Sequence, residues 1–289
     1  MANREVIIET ARWFEGQLRE KLPVPMAAAK SGYSLHHFVR LFSGVVGMPP
    51  KEYIQRRKLS EAGKELAGGK RRVIEVAFDY GYKDHATFTR AFMRAFGQTP
   101  SAVRRGANFE YLPPFANQFD VLPRKPSPEA PLADRSRLDH FDACLLAGFQ
   151  IRVAEESGEV GRLWSHFTRR SPSIPRRREP QAFRQLATWT EEAEEWVDIL
   201  VACEMETLDE LPLDLIGRVL PACDCLVFEH RGSVARVGES YRAIYAKILP
   251  SMTEKPVLPF NFESYLEGAG DPYSEDYRFS ICVPIDVRA

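Results

Sequence analysis

The chain has 289 residues, 44% apolar and 27% charged, enough for two ordinary domains and too rich in core formers for a wholly disordered protein. No run approaches the roughly 18 apolar residues of a membrane helix, and the N-terminus is charged from Arg4, so the expectation is a cytoplasmic protein without membrane contact. The net charge of −1 hides an asymmetry: residues 1–107 carry 19 Lys/Arg against 10 Asp/Glu, and residues 108–289 carry 20 against 30, which directs the basic part toward a polyanion.

Residues 4–107 read as helices throughout. Ile7, Ala11, Phe14 and Leu18 recur at helical spacing, with Pro23 and Pro25 marking that helix's end. Lys51–Leu66 is a further helix, stopped by Gly68 and Gly69. Residues 108–137 hold six of the 21 prolines without sustained periodicity, the pattern of an extended linker. Beyond it, Cys144–Val153, Trp196–Met205, Cys225–His230, Phe262–Leu266 and Tyr277–Pro284 read as strands, and Glu159–Arg169 and Val237–Leu249 as helices. Their order predicts an α+β domain of two similar halves over residues 138–289. The five cysteines are scattered through this acidic part, as reduced thiols are. Cys223-x-Cys225 lacks a second Cys/His pair nearby, so it reads as buried strand cysteines, and neither metal nor cofactor is expected.

The basic part contains a repeat. Ala28-x-x-x-Gly32-Tyr33 returns as Ala77-x-x-x-Gly81-Tyr82, and Phe38, Arg40, Phe42, Gly47 and Pro50 return as Phe88, Arg90, Phe92, Gly97 and Pro100. Each copy has the grammar of a helix-turn-helix: a helix ending at a Gly suited to a left-handed cap, then Ser34 or Asp84 capping the next helix. Ala28, Ala29 and Ala77 are small where two helices cross. Phe38, Leu41 and Phe42, like Phe88, Ala91 and Phe92, form a buried face at i, i+3, i+4. That turns His36, His37, Val39 and Arg40 of one candidate recognition helix outward, and His85, Ala86, Thr89 and Arg90 of the other. Such an Arg can donate two hydrogen bonds to guanine in the major groove. Lys51, Arg56, Arg57, Lys58, Lys70, Arg71, Arg72, Arg104 and Arg105 suit phosphate contact. A solenoid needs about three or more repeats, and two are present.

These motifs, with Ile74-x-Val76-Ala77-Phe78 and Gly97-x-Thr99-Pro100, resemble the AraC/XylS family of transcription regulators over about residues 3–107. The resemblance implies an all-α bipartite helix-turn-helix domain of about seven helices that binds one asymmetric double-stranded DNA site as a monomer. Its base-reading positions fall on His36, Val39, Arg40, Ala86 and Arg90, with His85 and Thr89 beside them. Relatives carry Trp in place of His36 and Gln in place of Val39 and Ala86, which implies a different target sequence here.

The acidic part offers no nucleophile elbow, phosphate loop or metal cluster. It offers aromatic residues, among them Trp164, Tyr241, Tyr245 and Tyr265, and one suggestive acid, Glu263. Strand alternation puts Glu263 and Tyr265 on one face and Phe262 on the other, and pattern alone leaves an exposed strand Glu as good a reading as a cleft carboxylate. Tyr241-x-x-Ile244-Tyr245, Phe262-Glu263-x-Tyr265 and Phe279-x-Ile281-x-Val283-Pro284 resemble the GyrI-like effector-binding domain. That resemblance implies two β-α-β-β halves about a cleft, with a Glu in the place of Glu263 meeting a cationic, lipophilic effector. The expectation is a non-enzymatic regulator that reads DNA and senses a small molecule, with RNA polymerase as a further candidate partner. The alternatives are a hydrolase using Glu263 as acid/base, or an interaction module that takes no ligand.

Overall fold

Apolar residues recurring every three or four positions make seven helices of the basic part: α1 (Asn3–Glu15), α2 (Val24–Ser31), α3 (Leu35–Val46), α4 (Pro50–Ala67), α5 (Val73–Asp79), α6 (His85–Phe96) and α7 (Pro100–Arg104). The computed structural model describes residues 1–115, 130–133, 136–154, 158–189, 196–266 and 270–286. Most of the stretch expected as linker lies outside them.

The two helix-turn-helix copies are α2–α3 and α5–α6, and α4 serves both cores. Phe14 meets Phe42 at 5.8 Å and Phe42 meets Tyr53 of α4 at 5.6 Å between ring centroids. Further along α4, Leu59, Ala62 and Leu66 pack with Val76, Ala77, Phe88 and Phe92 of the second copy. Gly32 and Gly81 end the first helix of each copy at φ +76° and +82°, a left-handed turn that a Cβ would strain.

Several details differ from the sequence expectation. Pro25 lies in the first turn of α2, where its fixed φ suits a helix start, so it opens the second helix instead of closing the first. Ala29 faces outward, because the buried line of α2 is Val24, Ala27, Ala28 and Ser31. Asp84 caps α6, accepting from the Thr87 backbone N–H at 2.7 Å. The Ser34 hydroxyl is buried without a hydrogen-bond partner and does not do the same for α3. His37 is buried, not turned outward as the apolar spacing of α3 indicated.

The acidic part contains β1 (Arg137–Phe141), β2 (Cys144–Ala154), α8 (Glu159–Arg170), β3 (Ala182–Thr188), β4 (Trp196–Met205), β5 (Ile216–Leu220), β6 (Cys223–Arg231), α9 (Val237–Ala243), β7 (Lys255–Pro256), β8 (Phe260–Leu266) and β9 (Arg278–Asp286). The helix expected over Val237–Leu249 continues past α9 as a π-helical turn, Ile244–Ile248, and a 3-10 turn at Leu249–Ser251. The strands form one antiparallel sheet in the order β1-β6-β9-β8-β3-β4-β2-β5, with β7 on β9. Two β-α-β-β halves, β2-α8-β3-β4 and β6-α9-β8-β9, are joined where β3 pairs with β8. The leading strands are exchanged: β1 precedes the first half and pairs with β6 of the second, while β5 precedes the second and pairs with β2 of the first.

Each face of the sheet has its own core. Leu163 and Phe167 of α8 pack on Ala147, Val197, Ile199 and Val201. On the other face, Leu146 and Leu220 share a cluster with Cys223, Cys225 and Val227. Those residues come from opposite ends of the strand order, so the sheet curls until its ends meet over one core.

Candidate functional site

On α6, His85, Ala86 and Arg90 are exposed and Thr89 is half-buried; on α3, His36, Val39 and Arg40 are half-buried. The guanidinium of Arg90 is oriented by a short chain: its Nη2 donates to Thr87 Oγ1 at 3.2 Å, and that hydroxyl donates to Asp84 at 2.9 Å. Bonds from the Thr87 backbone and hydroxyl hold the Asp84 carboxyl below its usual range. The cap that starts the helix thus also steadies the exposed guanidinium of Arg90.

Of the residues expected on phosphates, Lys51, Lys70, Arg72, Arg104 and Arg105 are exposed. Arg57 is not available for that role, because its side chain is 1% exposed. It donates to Glu15 through Nε at 2.9 Å and Nη2 at 2.7 Å, to Glu61 at 2.7 Å, and to the Leu112 carbonyl at 2.5 Å. Burial alone would favour the neutral guanidine, but the two carboxylates outweigh it and hold the charge. Arg57 also anchors residues that follow α7. The Leu112 N–H donates to Ser60 Oγ at 3.1 Å, the Phe115 N–H to Tyr53 at 3.0 Å, and Tyr111 to Glu61 at 2.5 Å. Phe109 lies against Gly63, where a Cβ would approach its ring to 2.7 Å; the glycine makes room for the strap.

In the sheet, Glu263 sits where the two halves join. It is 3% exposed and directly opposite Gln185 in the β3–β8 register. Gln185 Nε2 donates to Glu263 Oε2 at 2.9 Å, Tyr241 donates to Oε1 at 2.9 Å, and Tyr265 donates to Oε2. Trp164 of α8 donates its indole N–H to Gln185 at 2.6 Å and meets the Tyr265 ring edge-on at 4.8 Å. The pattern has the symmetry of the fold: each half's helix supplies an aromatic donor to its own half's strand residue, and the two strand residues bond to each other. Tyr265 stacks on Phe279 at 4.7 Å. Burial, then the charge of Glu263, pushes the Tyr265 hydroxyl well above its usual value, so it stays a donor. Tyr245 is buried on the turn after α9.

The structure thus brings Glu263, Trp164, Tyr241 and Tyr265 together. Gln185 was missed from the sequence, because QAFRQLAT does not alternate cleanly. The missing strand of a β-α-β-β half, required between α8 and Trp196, was the signal available.

Residues 27–106 match a helix-turn-helix domain family, and residues 137–285 match the family described as integron-associated effector binding protein. The chain belongs to that effector-binding family and carries an AraC-type helix-turn-helix domain. The transcriptional regulator Rob of Salmonella typhimurium is 29% identical over 177 residues, 59% of each chain. The regulatory protein SoxS of Escherichia coli is 34% identical over 104 residues, 36% of this chain and 97% of SoxS. Among solved structures, SAV2435 bound to tetraphenylphosphonium aligns with 53% of this chain and 94% of that one, at 15% identity and a TM-score of 0.44. The chain spans 59% of Rob and 35% of the Escherichia coli right origin-binding protein. Within the family match, Glu263 and its four neighbours all fall in the effector-binding region, and α3 and α6 in the helix-turn-helix region. Among the described residues no helix is long and apolar enough to cross a membrane, and no group of three or more His, Cys, Asp or Glu is placed to hold a metal ion.

Proposed function

We propose that this chain is a transcription regulator in which residues 1–107 read double-stranded DNA and residues 138–289 sense a lipophilic cation, joined by residues 108–137. It works where its DNA is, in the cytoplasm, and as a binding protein instead of an enzyme; its regulator relatives support that reading. Arg40 and Arg90 are the base readers, each worth roughly 1–3 kcal/mol of discrimination. His36, Val39, His85, Ala86 and Thr89 complete the reading surface. Exposed Lys70, Arg104 and Arg105 fix the position of the backbone without reading sequence.

The observation that carries the sensing role is Glu263, a carboxylate buried among Tyr241, Tyr265 and Trp164 at the join of two halves. A cation entering there gains the charge of the carboxylate and the faces of the rings, the latter up to about 2 kcal/mol when desolvated. Tyr241 is half-buried, so its phenol is the donor that yields its place. The ligand shifts DNA binding only as far as it binds two states of the protein differently.

Selection from a random duplex library, repeated with Arg40→Ala and Arg90→Ala at fixed salt, tests the reading role. A bipartite motif, with each variant relaxing one half, is the expected result. Salt-sensitive binding without an enriched motif would overturn it. Calorimetry of matched cationic and anionic hydrophobes on the wild type and Glu263→Gln tests the sensing role, and equal binding by both proteins would sink it.

A further inference from the structure

A concave surface lies on the face of the sheet opposite Glu263. Side chains alternate along a strand, so Gln185 and Glu263 share one face while their neighbours Arg184 and Ser264, also paired in register, share the other. There the curl closes on a cleft of about 360 Å³, to which His140 and Phe141 of β1, Cys144 of β2, Arg184 of β3 and Leu220 of β5 contribute, with Arg178 beside them. β1 and β5 stand at opposite ends of the strand order, so this cleft is the mouth of the curl. Mouths of closed sheets are a common place for small ligands, and the volume is in the usual range of about 300–1,000 Å³.

The polar groups of the cleft are unevenly committed. Two of its three carboxylates meet a donor, Glu204 taking Arg184 Nη2 at 2.5 Å and Glu179 taking Gln181 Nε2 at 3.2 Å, while Asp142 is turned to solvent with its side chain 99% exposed. Arg184 gives its Nη1 to Ser264, but its Nε–H is enclosed without a partner. Its side chain is 11% exposed. Arg178 is exposed, and among the described residues its guanidinium makes no ion pair. His140 is bonded through Nδ1 to Asp224 at 2.7 Å, which favours its protonated form. The unmet capacity is therefore for acceptors, on two guanidinium groups, beside apolar surface from Phe141, Cys144 and Leu220.

We propose that this cleft binds a small organic carboxylate, its apolar body against Phe141, Cys144 and Leu220 and its oxygens on Arg178 and Arg184. A carboxylate matches the planar fork of a guanidinium, which an inorganic cation or a neutral amide cannot do. The site is separate from the one at Glu263 and takes the opposite charge. The sheet would then present an acid to a cation on one face and arginines to an anion on the other.

The fold supplies a reporter. Cys144 is the half-buried member of five free cysteines, the others being buried. Burial pushes its thiol up to about 11, so alkylation is followed at alkaline pH. The full chain is treated with benzoate, with the neutral isostere benzamide and with the cation benzamidine, and both calorimetric binding and the rate of Cys144 alkylation are measured. Benzoate is expected to bind and to slow alkylation, and the other two are not. Arg178→Glu, at an exposed position, is expected to weaken benzoate at least about tenfold, with Arg178→Gln intermediate. Glu263→Gln is expected to leave benzoate binding unchanged, which separates this cleft from the sensing site. Absence of benzoate binding, equal binding of benzamide or benzamidine, or unchanged affinity in Arg178→Glu would each overturn the assignment. So would loss of benzoate binding in Glu263→Gln.

Discussion

Arg57 in the helical part and Glu263 in the sheet part are both buried charges, and their surroundings answer them differently. Arg57 faces two carboxylates and a backbone carbonyl drawn from α1, α4 and the strap after α7. Within the sheet part, Glu263 receives hydrogen bonds from two phenols and an amide. A buried ion matched by opposite charges is a fastening, and removing either side strands the other. In the proposed sensing role, a cation at Glu263 would take the place of a phenol and add charge attraction. On the proposed function, the comparison sets a charge that holds the fold beside one that meets a ligand.

The most severe way to break this contrast is Arg57→Met. It leaves Glu15 and Glu61 without their cation and is expected to destabilise the helical part by about 3–5 kcal/mol, read from urea melts. A loss below about 1 kcal/mol would make Arg57 no fastening at all. Glu263→Gln comes next. It should lower the affinity for benzyltrimethylammonium at least about tenfold, or about 1.4 kcal/mol, while shifting the melting midpoint far less than Arg57→Met does.

A matched pair sharpens the same point. Tyr111→Phe removes the phenol on Glu61 and should cost about 0.5–1.5 kcal/mol of stability. Tyr241→Phe removes the phenol on Glu263 while keeping its ring, and should retain or tighten cation binding in calorimetry. The smallest effect is in pH. Burial alone raises the Glu61 pKa, but Tyr111 and Arg57 outweigh it and the net shift is downward from 4.5. A depressed carboxylate contributes stability above its unfolded value and loses it as pH falls through the folded one. The helical part should therefore weaken below about pH 4.5, and Glu61→Gln should flatten that acid limb in melts recorded across pH.

Much of this architecture is legible in the chain. The 49–50-residue offset between Gly32/Phe38 and Gly81/Phe88 located both helix-turn-helix copies, because a cap glycine and an i, i+4 aromatic pair are local requirements. Glu263 beside Tyr265 on one strand face followed from alternation alone. What stayed hidden depends on distant partners. Arg57 reads as one more cation of a basic helix until Glu15, 42 residues away, is brought beside it. Gln185 becomes meaningful only once β3 lies against β8. Short β1 and β5 carry too few residues to announce a period, and their pairing with the far half has no local signature. His37, polar yet buried, is a case where tertiary surroundings override the helical pattern.

The exchange of β1 and β5 bears on how the sheet assembles. Arg137 pairs with Val227 and Cys144 with Leu220, so each half's outer strand is borrowed from chain that belongs to the other. Neither half expressed alone would have its own sheet edge covered, and each would expose an unpaired strand ready to join a second chain. Contacts of such long sequence separation place the domain among slow folders. They also make its unfolding a joint event, in which the side carrying Gln185 and the side carrying Glu263 stand or melt together.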